Sequence, residues 1–366
     1  MADAVAPDCV EGAPHPRLTR HLFGQDAAER AFLGALGRGR LHHGWLLTGP
    51  RGVGKATLAW RIARFLRAGG GEGGLFGPPD SLDVDPAHPV ASLVRSGAEP
   101  GILPLTRTPD HKTERMRSQI VVEDVRRLRD FFGLTAAEGG WRVVIADSVD
   151  EMTPNAANAL LKSLEEPPKG ALLLLVSHQP SKLLPTIRSR CRELRLCPLG
   201  PEDMARALDQ AAGLGEEGAA LAVLSGGSVG ESLRLTAGSG LGLYVEIVDL
   251  MASAPRLVRP EILKLCNSVS GRDGQARFDL LVRLVDVLLV RLARAGTLGP
   301  GPEIVPGEGA LLARLSPDPR AARRWADLAA DLGNRARAAR AVHLDPGALV
   351  LDMFLRLESA SRSATG

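Results

Sequence analysis

Gly44-Trp-Leu-Leu-Thr-Gly-Pro-Arg-Gly-Val-Gly-Lys-Ala-Thr57 decides the fold. Its first five residues are a short apolar run of the kind that forms a buried strand, Gly49-Pro50 ends that run, and residues 56–66 then follow a helical pattern. The junction Gly49-Pro-Arg-Gly-Val-Gly54-Lys55 matches the phosphate-loop spacing G-x-x-x-x-G-K. It stands where phosphate binding requires it, at the end of a strand and the opening of a helix. Backbone N–H groups of Gly52, Gly54, Lys55 and Ala56 would converge on phosphate oxygens, the helix N-terminus adds partial positive charge, and Lys55 would reach the terminal phosphates. Gly49, Gly52, Val53, Gly54, Lys55, Ala56 and Thr57 are therefore the candidate nucleotide contacts. The alternative is a glycine-rich tight turn with a chance lysine.

One position of the motif departs. The residue after the lysine normally supplies a hydroxyl to magnesium, and here it is Ala56, whose methyl group ligates nothing. Thr57 is one residue late and points about 100° around the helix. The expectation is ATP or ADP held weakly, magnesium only together with nucleotide, and poor hydrolysis.

Further along, residues 141–146 read as a second buried strand ending in Asp147, which could hold magnesium or its water beside the loop, or merely cap the following turn. A hydrolytic ATPase of this kind follows that aspartate with a glutamate that orients water, and here Ser148 occupies the place. Asp150 and Glu151 could replace it only through an unusual turn. Residues 171–176 form a third core strand, with Ser177 at its end as a candidate for the terminal phosphate and His178 beside it. Between the strands, residues 121–132 form a helix with Arg126, Arg127 and Arg129 off its apolar stripe, and a second helix starts at Pro154 and stops before Pro167. Residues 68–100 are Gly- and Pro-rich and read as a long excursion without an element, with order resuming near Ile120. Strands alternating with helices argue a parallel sheet covered by helices. From Pro201 the pattern is helical throughout, and a second helical stretch begins near Arg259, interrupted by a Gly/Pro-rich loop over 297–307.

Composition narrows the function. The 366 residues carry 45 Lys and Arg against 42 Asp and Glu, and aromatics are 4% with one Tyr and four Trp, so neither a basic surface nor base-stacking platforms mark a dedicated nucleic-acid binder. Cys9, Cys191, Cys197 and Cys266 never stand at metal-ligand spacing, so no zinc is expected. Residues 1–17 read as a disordered leader and not a signal peptide. The apolar run 280–292 contains Arg283, Asp286 and Arg291 and is too short to span a bilayer, so a cytoplasmic location is expected.

Three segments, Leu41-His-His-Gly-Trp-Leu-Leu-Thr-Gly-Pro-Arg-Gly-Val-Gly-Lys55, Asn158-Ala-Leu-Leu-Lys-Ser-Leu-Glu-Glu-Pro-Pro168 and Thr186-Ile-Arg-Ser-Arg-Cys191, resemble the clamp-loader branch of the AAA+ ATPases. The resemblance implies an α/β fold: an AAA+ P-loop domain with a parallel sheet over 18–199, a small helical lid over 200–257 and an all-helical collar over 258–366. It implies that Arg190, in the Ser-Arg-Cys segment, is an arginine finger acting in trans on the nucleotide of a neighbouring subunit; the alternative is a surface arginine in a salt bridge. Motor subunits of such loaders carry a lid arginine after a Gly-Ser-x signature, whereas Gly227-Ser228-Val229 is followed here by Gly230. Ala56, Ser148 and Gly230 together favour a non-motor member that does not hydrolyse ATP. Its implied partners are motor and delta-type subunits in a hetero-oligomeric ring, with the sliding clamp and primer-template DNA reached through the complex. Two alternatives stand: an active ATPase motor of the same kind of loader, and a homohexameric AAA+ regulator unrelated to replication.

Overall fold

The computed structural model describes residues 9–10, 13–39, 41–70, 79–110, 113–133, 140–215, 217–270, 274–341 and 344–362. The chain forms two compact units, Met1–Gly218 with Gly226–Leu233, and Ala219–Ser225 with Arg234–Gly366.

The first unit is α/β. Strands β1 (Gly44–Thr48), β2 (Ile102–Leu105), β3 (Arg142–Asp147), β4 (Ala171–Val176) and β5 (Arg192–Arg195) make one parallel sheet in the order β2-β3-β4-β1-β5. The two central strands, β1 and β4, are buried along their whole length, which is why they read as continuous apolar runs rather than as alternation. Helices α1 (Asp26–Gly37), α2 (Lys55–Arg67), α3 (Pro89–Ser96), α4 (Val122–Gly133), α5 (Pro154–Glu165), α6 (Pro185–Ser189) and α7 (Pro201–Ala212) complete the unit. α4 and α5 close one core through Val125, Leu128, Leu160 and Leu164, against Val144 and Leu173 of the sheet. Arg126, Arg127 and Arg129 are exposed on α4, as its stripe predicts.

Two elements interrupt what the composition presents as an excursion over 68–100 with order resuming near Ile120. α3 forms because the His88 ring accepts from the Val90 N–H, Pro89 opens the first turn, Gly97 closes the helix in the left-handed region, and Ala91 and Val94 are buried beneath it. β2 is a strand despite Pro104, since it lies at the sheet edge and needs to pair only with β3. Residues 71–78 lie outside the described residues. So do 1–8 and 11–12 of the expected leader, while Pro16–Leu18 form a 3-10 turn and the His15 ring meets the Trp60 ring edge-on at 5.7 Å.

The second unit is entirely helical among its described residues. It contains α10 (Gly240–Ala252), α11 (Arg259–Ser268), α12 (Gly274–Leu298), α13 (Glu308–Leu315), α14 (Pro319–Ala341) and α15 (Pro346–Arg362), while α8 (Gly218–Leu224) and α9 (Val229–Ala237) are divided between the units. The fully buried Glu308 carboxylate accepts from Tyr244 Oη at 2.5 Å, Arg291 Nε at 2.6 Å and the Ile304 N–H at 2.7 Å, which ties α10, α12 and the loop before α13 around one charge. A buried charge is tolerable only with such a complete set of partners. At the other end, the buried Glu358 accepts from Arg259 and Arg362, joining α11 to α15. No single described helix is long and apolar enough to cross a membrane.

Candidate functional site

The phosphate loop follows β1 and turns through Gly49, Gly52 and Gly54, all at positive φ, before α2 begins at Lys55. Gly49 and Gly52 are obligatory for packing as well as conformation. A Cβ on Gly49 would fall on the Leu196 carbonyl, and one on Gly52 would fall on Ser228 Oγ. The loop is pinned from behind by Gln25, which is buried: its amide donates to the carbonyls of Val53 (3.2 Å) and Cys197 (2.7 Å) and accepts from the Cys197 N–H (3.1 Å).

Lys55 is 3% exposed and its ammonium donates to the carbonyls of Gly49 (2.7 Å) and Pro50 (2.5 Å). Burial pulls its pKa down to about 8, against the opposing pull of Asp147 and Asp150. The fold thus brings Asp147, at the tip of β3, within electrostatic reach of Lys55. It adds Asp150, which lies in the 3-10 turn Val149–Glu151 and receives the His178 N–H on both carboxylate oxygens, at 3.1 and 2.9 Å. Glu151 bonds Arg51 of the loop at 2.7 Å and Arg107 at 3.2 Å. Ala56 and Thr57, in the first turn of α2, are partly exposed. Ser148 is 3% exposed and Ser177 fully buried, and the hydroxyl of each is without a hydrogen-bond partner among the described residues.

The Gly-Ser-x segment covers this loop. Ser228 Oγ donates to the Arg51 carbonyl at 2.8 Å, and the Gly230 N–H donates to the Gly52 carbonyl at 3.1 Å. A Cβ on Gly230 would lie 3.0 Å from Gly52 Cα. The smallness of Gly230 therefore lets the two backbones meet. Sequence reading noted Gly230 only for the missing charge, and nothing in the local pattern marks Gln25, an isolated amide before a helix, as a support for the loop.

Arg190 is not brought to this loop. It ends α6, just before β5; its Nη2 lies 3.0 Å from Glu165 Oε1 and its Nη1 donates to the Thr186 carbonyl at 3.1 Å. Its backbone borders Gly44, where a Cβ would lie 3.1 Å from the Arg190 carbonyl and 3.3 Å from Cys191 Sγ. That is the opposite end of β1 from the phosphate loop. Burial pushes the Cys191 thiol up to about 12, so in Ser-Arg-Cys the cysteine is a packing residue against β1 and α5 rather than a nucleophile.

Residues 24–200 match the family model described as DNA polymerase III, delta subunit. The chain is 38% identical over 232 residues to the DNA polymerase III subunit delta' of Pseudomonas aeruginosa, a match covering 62% of this chain and 64% of that one. It is 33% identical over 165 residues to subunit delta' of Bacillus subtilis, covering 44% of each chain. With subunit tau of Salmonella typhimurium it shares 32% identity over 275 residues, 73% of this chain and 40% of that protein. The chain thus spans less than two thirds of the length of each of these relatives.

Proposed function

Residues 24–200 match the family model described as DNA polymerase III, delta subunit, and from that similarity we propose that the chain is a delta-prime-type clamp-loader subunit that does not itself hydrolyse ATP. In this reading it sits in a hetero-oligomeric ring with motor and delta-type subunits in the cytoplasm. Residues 18–199 supply the AAA+ fold, residues 200–257 the lid and residues 258–366 the collar that joins the ring. The sliding clamp and primer-template DNA are reached through the assembly.

The observation that carries the reading is where Arg190 lies. Gly44, which it borders, stands five residues before Gly49, or about 16 Å of strand, so its guanidinium is kept away from the chain's own loop, which supports a role toward a nucleotide outside this chain. Its present partner holds it loosely. Arg190 and Glu165 are 38% and 47% exposed, and ion pairs of that kind are worth about 0–1 kcal/mol, so a neighbour's phosphate can take Glu165's place. The planar guanidinium fork suits the charge that spreads over a transferring phosphoryl group. For the chain's own site, the support is Ala56 in place of a metal-binding hydroxyl, Ser148 buried where water would need orienting, and Gly230 packed on Gly52 where a cation would otherwise stand.

The test is Arg190→Ala in the reconstituted loader. The ring should assemble, and clamp- and DNA-stimulated ATPase should fall at the neighbouring site by about a thousandfold, the lower end of what such fingers supply, with a smaller loss overall. Arg190→Lys should restore little. Unchanged stimulated ATPase and clamp loading would overturn the trans role, and turnover of about 1 per second by the isolated wild-type chain would favour the motor reading.

A further inference from the structure

A second cavity, of about 320 Å³, lies in the first unit away from the phosphate loop, between the second and third turns of α2, the segment 18–21 and the stretch 82–95 that includes α3. Its size falls at the lower end of the range typical of small-molecule sites. Its lining is both apolar and cationic. Leu18, Leu82, Val84 and Ala91 give it apolar lining, and Arg20, Arg64 and Arg95 line it together with Asp83 and Asp85.

These charges are incompletely answered from within the protein. Arg61, behind them, is 5% exposed and is bonded to Glu29 at 3.1 Å and Asp83 at 3.0 Å, so it consumes the nearest carboxylates. Arg64 Nη2 donates only to uncharged acceptors, the carbonyls of Arg17 (3.0 Å) and Thr19 (3.2 Å), and its Nε is buried without a hydrogen-bond partner among the described residues. Arg95 reaches the Pro86 carbonyl at 3.5 Å. Asp85, also lining the cavity, accepts the Ala87 N–H at 2.8 Å and makes no ion pair with any of these arginines, so the three guanidinium groups face two carboxylates, Asp83 and Asp85, of which Asp83 is already bonded to Arg61. Burial, and then the charges of Arg61, Arg95 and Arg20, push the Arg64 guanidinium below its ordinary pKa, with Asp83 acting the other way. A cluster in which cations repel one another, with buried donor capacity left over, is stabilised by an anion.

We propose that this cavity binds a mononucleotide-sized organic phosphate, its phosphate among Arg20, Arg64 and Arg95 and its flat apolar body against Leu82, Val84 and Ala91. Arginine suits both halves, since its fork bonds phosphate in two places and its face stacks on a planar ring. The site is independent of the phosphate loop: Arg61 and Arg64 are six and nine residues beyond Lys55, about 9 and 14 Å along α2. It does not rest on the clamp-loader reading.

The probes are AMP, adenosine and inorganic phosphate, titrated calorimetrically into the full chain. AMP should bind with one site per chain in the wild type and equally in Lys55→Ala, which disables the phosphate loop. Arg95→Ala removes an exposed side chain and leaves the fold intact, and it should weaken AMP by about tenfold or more, the worth of a charge-assisted contact. Arg64→Gln should weaken it further, with circular dichroism reporting whether the segment 17–21 remains folded. Adenosine and inorganic phosphate should each bind at least about tenfold more weakly than AMP, because each satisfies only one part of the lining. AMP binding that is lost in Lys55→Ala but kept in Arg95→Ala would overturn the proposal. So would the absence of AMP binding at millimolar concentration, or inorganic phosphate binding as tightly as AMP.

Discussion

Lys55 shows how a motif residue can be present and yet altered by its setting. Its position after Gly54 was legible from spacing alone, but its burial and its bonds to the loop's own carbonyls were not, because they depend on how the loop closes over the ammonium. With a folded-state pKa of about 8 against an ordinary 10.5, the folded chain binds fewer protons than the unfolded one between those values, so this residue's contribution to stability rises as pH goes from 8 to 10.5. In a chain with six lysines its signal is easily separated, and NMR of the lysine side chains should show one amine titrating near pH 8. A Lys55 midpoint above 10 would mean that the ammonium is solvated and the loop open. Gly230 carries a second lesson at this scale. Gly230→Arg ought, by motif logic, to restore the lid cation, but the first atom of any side chain there meets the Gly52 backbone at 3.0 Å, which cannot swing aside as a flexible side chain would. The variant is expected to lose about 1 kcal/mol, overpacking of about 1–3 outweighing the gain from removing a helical glycine, and to gain no ATP turnover. Thermal unfolding and a steady-state ATPase assay check both parts.

Elements with apolar runs were readable almost to the residue: β1 and β4 are buried on both faces, and their short length and flanking turn signals, with six consecutive aliphatic residues in β4, set them apart from buried helices. α3 and β2 were hidden for opposite reasons. α3 is eight residues long within a Gly/Pro-rich stretch, and its helix is made by its caps, while β2 is four residues long and carries a proline that only an edge position tolerates. Supports between elements were the least legible, because they join residues far apart in sequence. Gln25 joins the start of α1 to the loop and to the end of β5, 172 residues away at Cys197. Gln25→Ala should cost about 1–2 kcal/mol, since it leaves the buried Val53 carbonyl without its partner and exchanges the part-buried bonds to Cys197 for water. Because Val53 lies inside the phosphate loop, hydrogen exchange over residues 49–55 should rise in the same variant, and a change in neither quantity would show that Gln25 is dispensable.

At the scale of the whole molecule, charge decides what the chain can do alone. An excess of three cations in 366 residues gives no long-range field toward nucleic acid, and many surface arginines are already engaged: Arg335 and Arg356 with Asp352, Arg190 with Glu165, Arg51 and Arg107 with Glu151. The most basic exposed helical face in the first unit is that of α4, where Arg126, Arg127 and Arg129 stand against Glu123 and Asp130, a local excess of one. A single strand of DNA would find almost no stacking surface, with 4% aromatics of which Trp45, Trp60, Trp325 and Tyr244 are buried. The isolated chain should therefore bind primer-template DNA no more tightly than general non-specific association, with Kd of about 10⁻⁴ to 10⁻⁶ M at physiological salt. Each neutralised phosphate contributes about −0.9 to the slope of log K against log salt concentration, so contact through α4 alone gives a slope no steeper than about −3. Fluorescence anisotropy between 50 and 200 mM salt measures both quantities. Nanomolar affinity, or a slope near −10, would mean that a basic surface forms in solution and that the chain engages DNA without the rest of a ring.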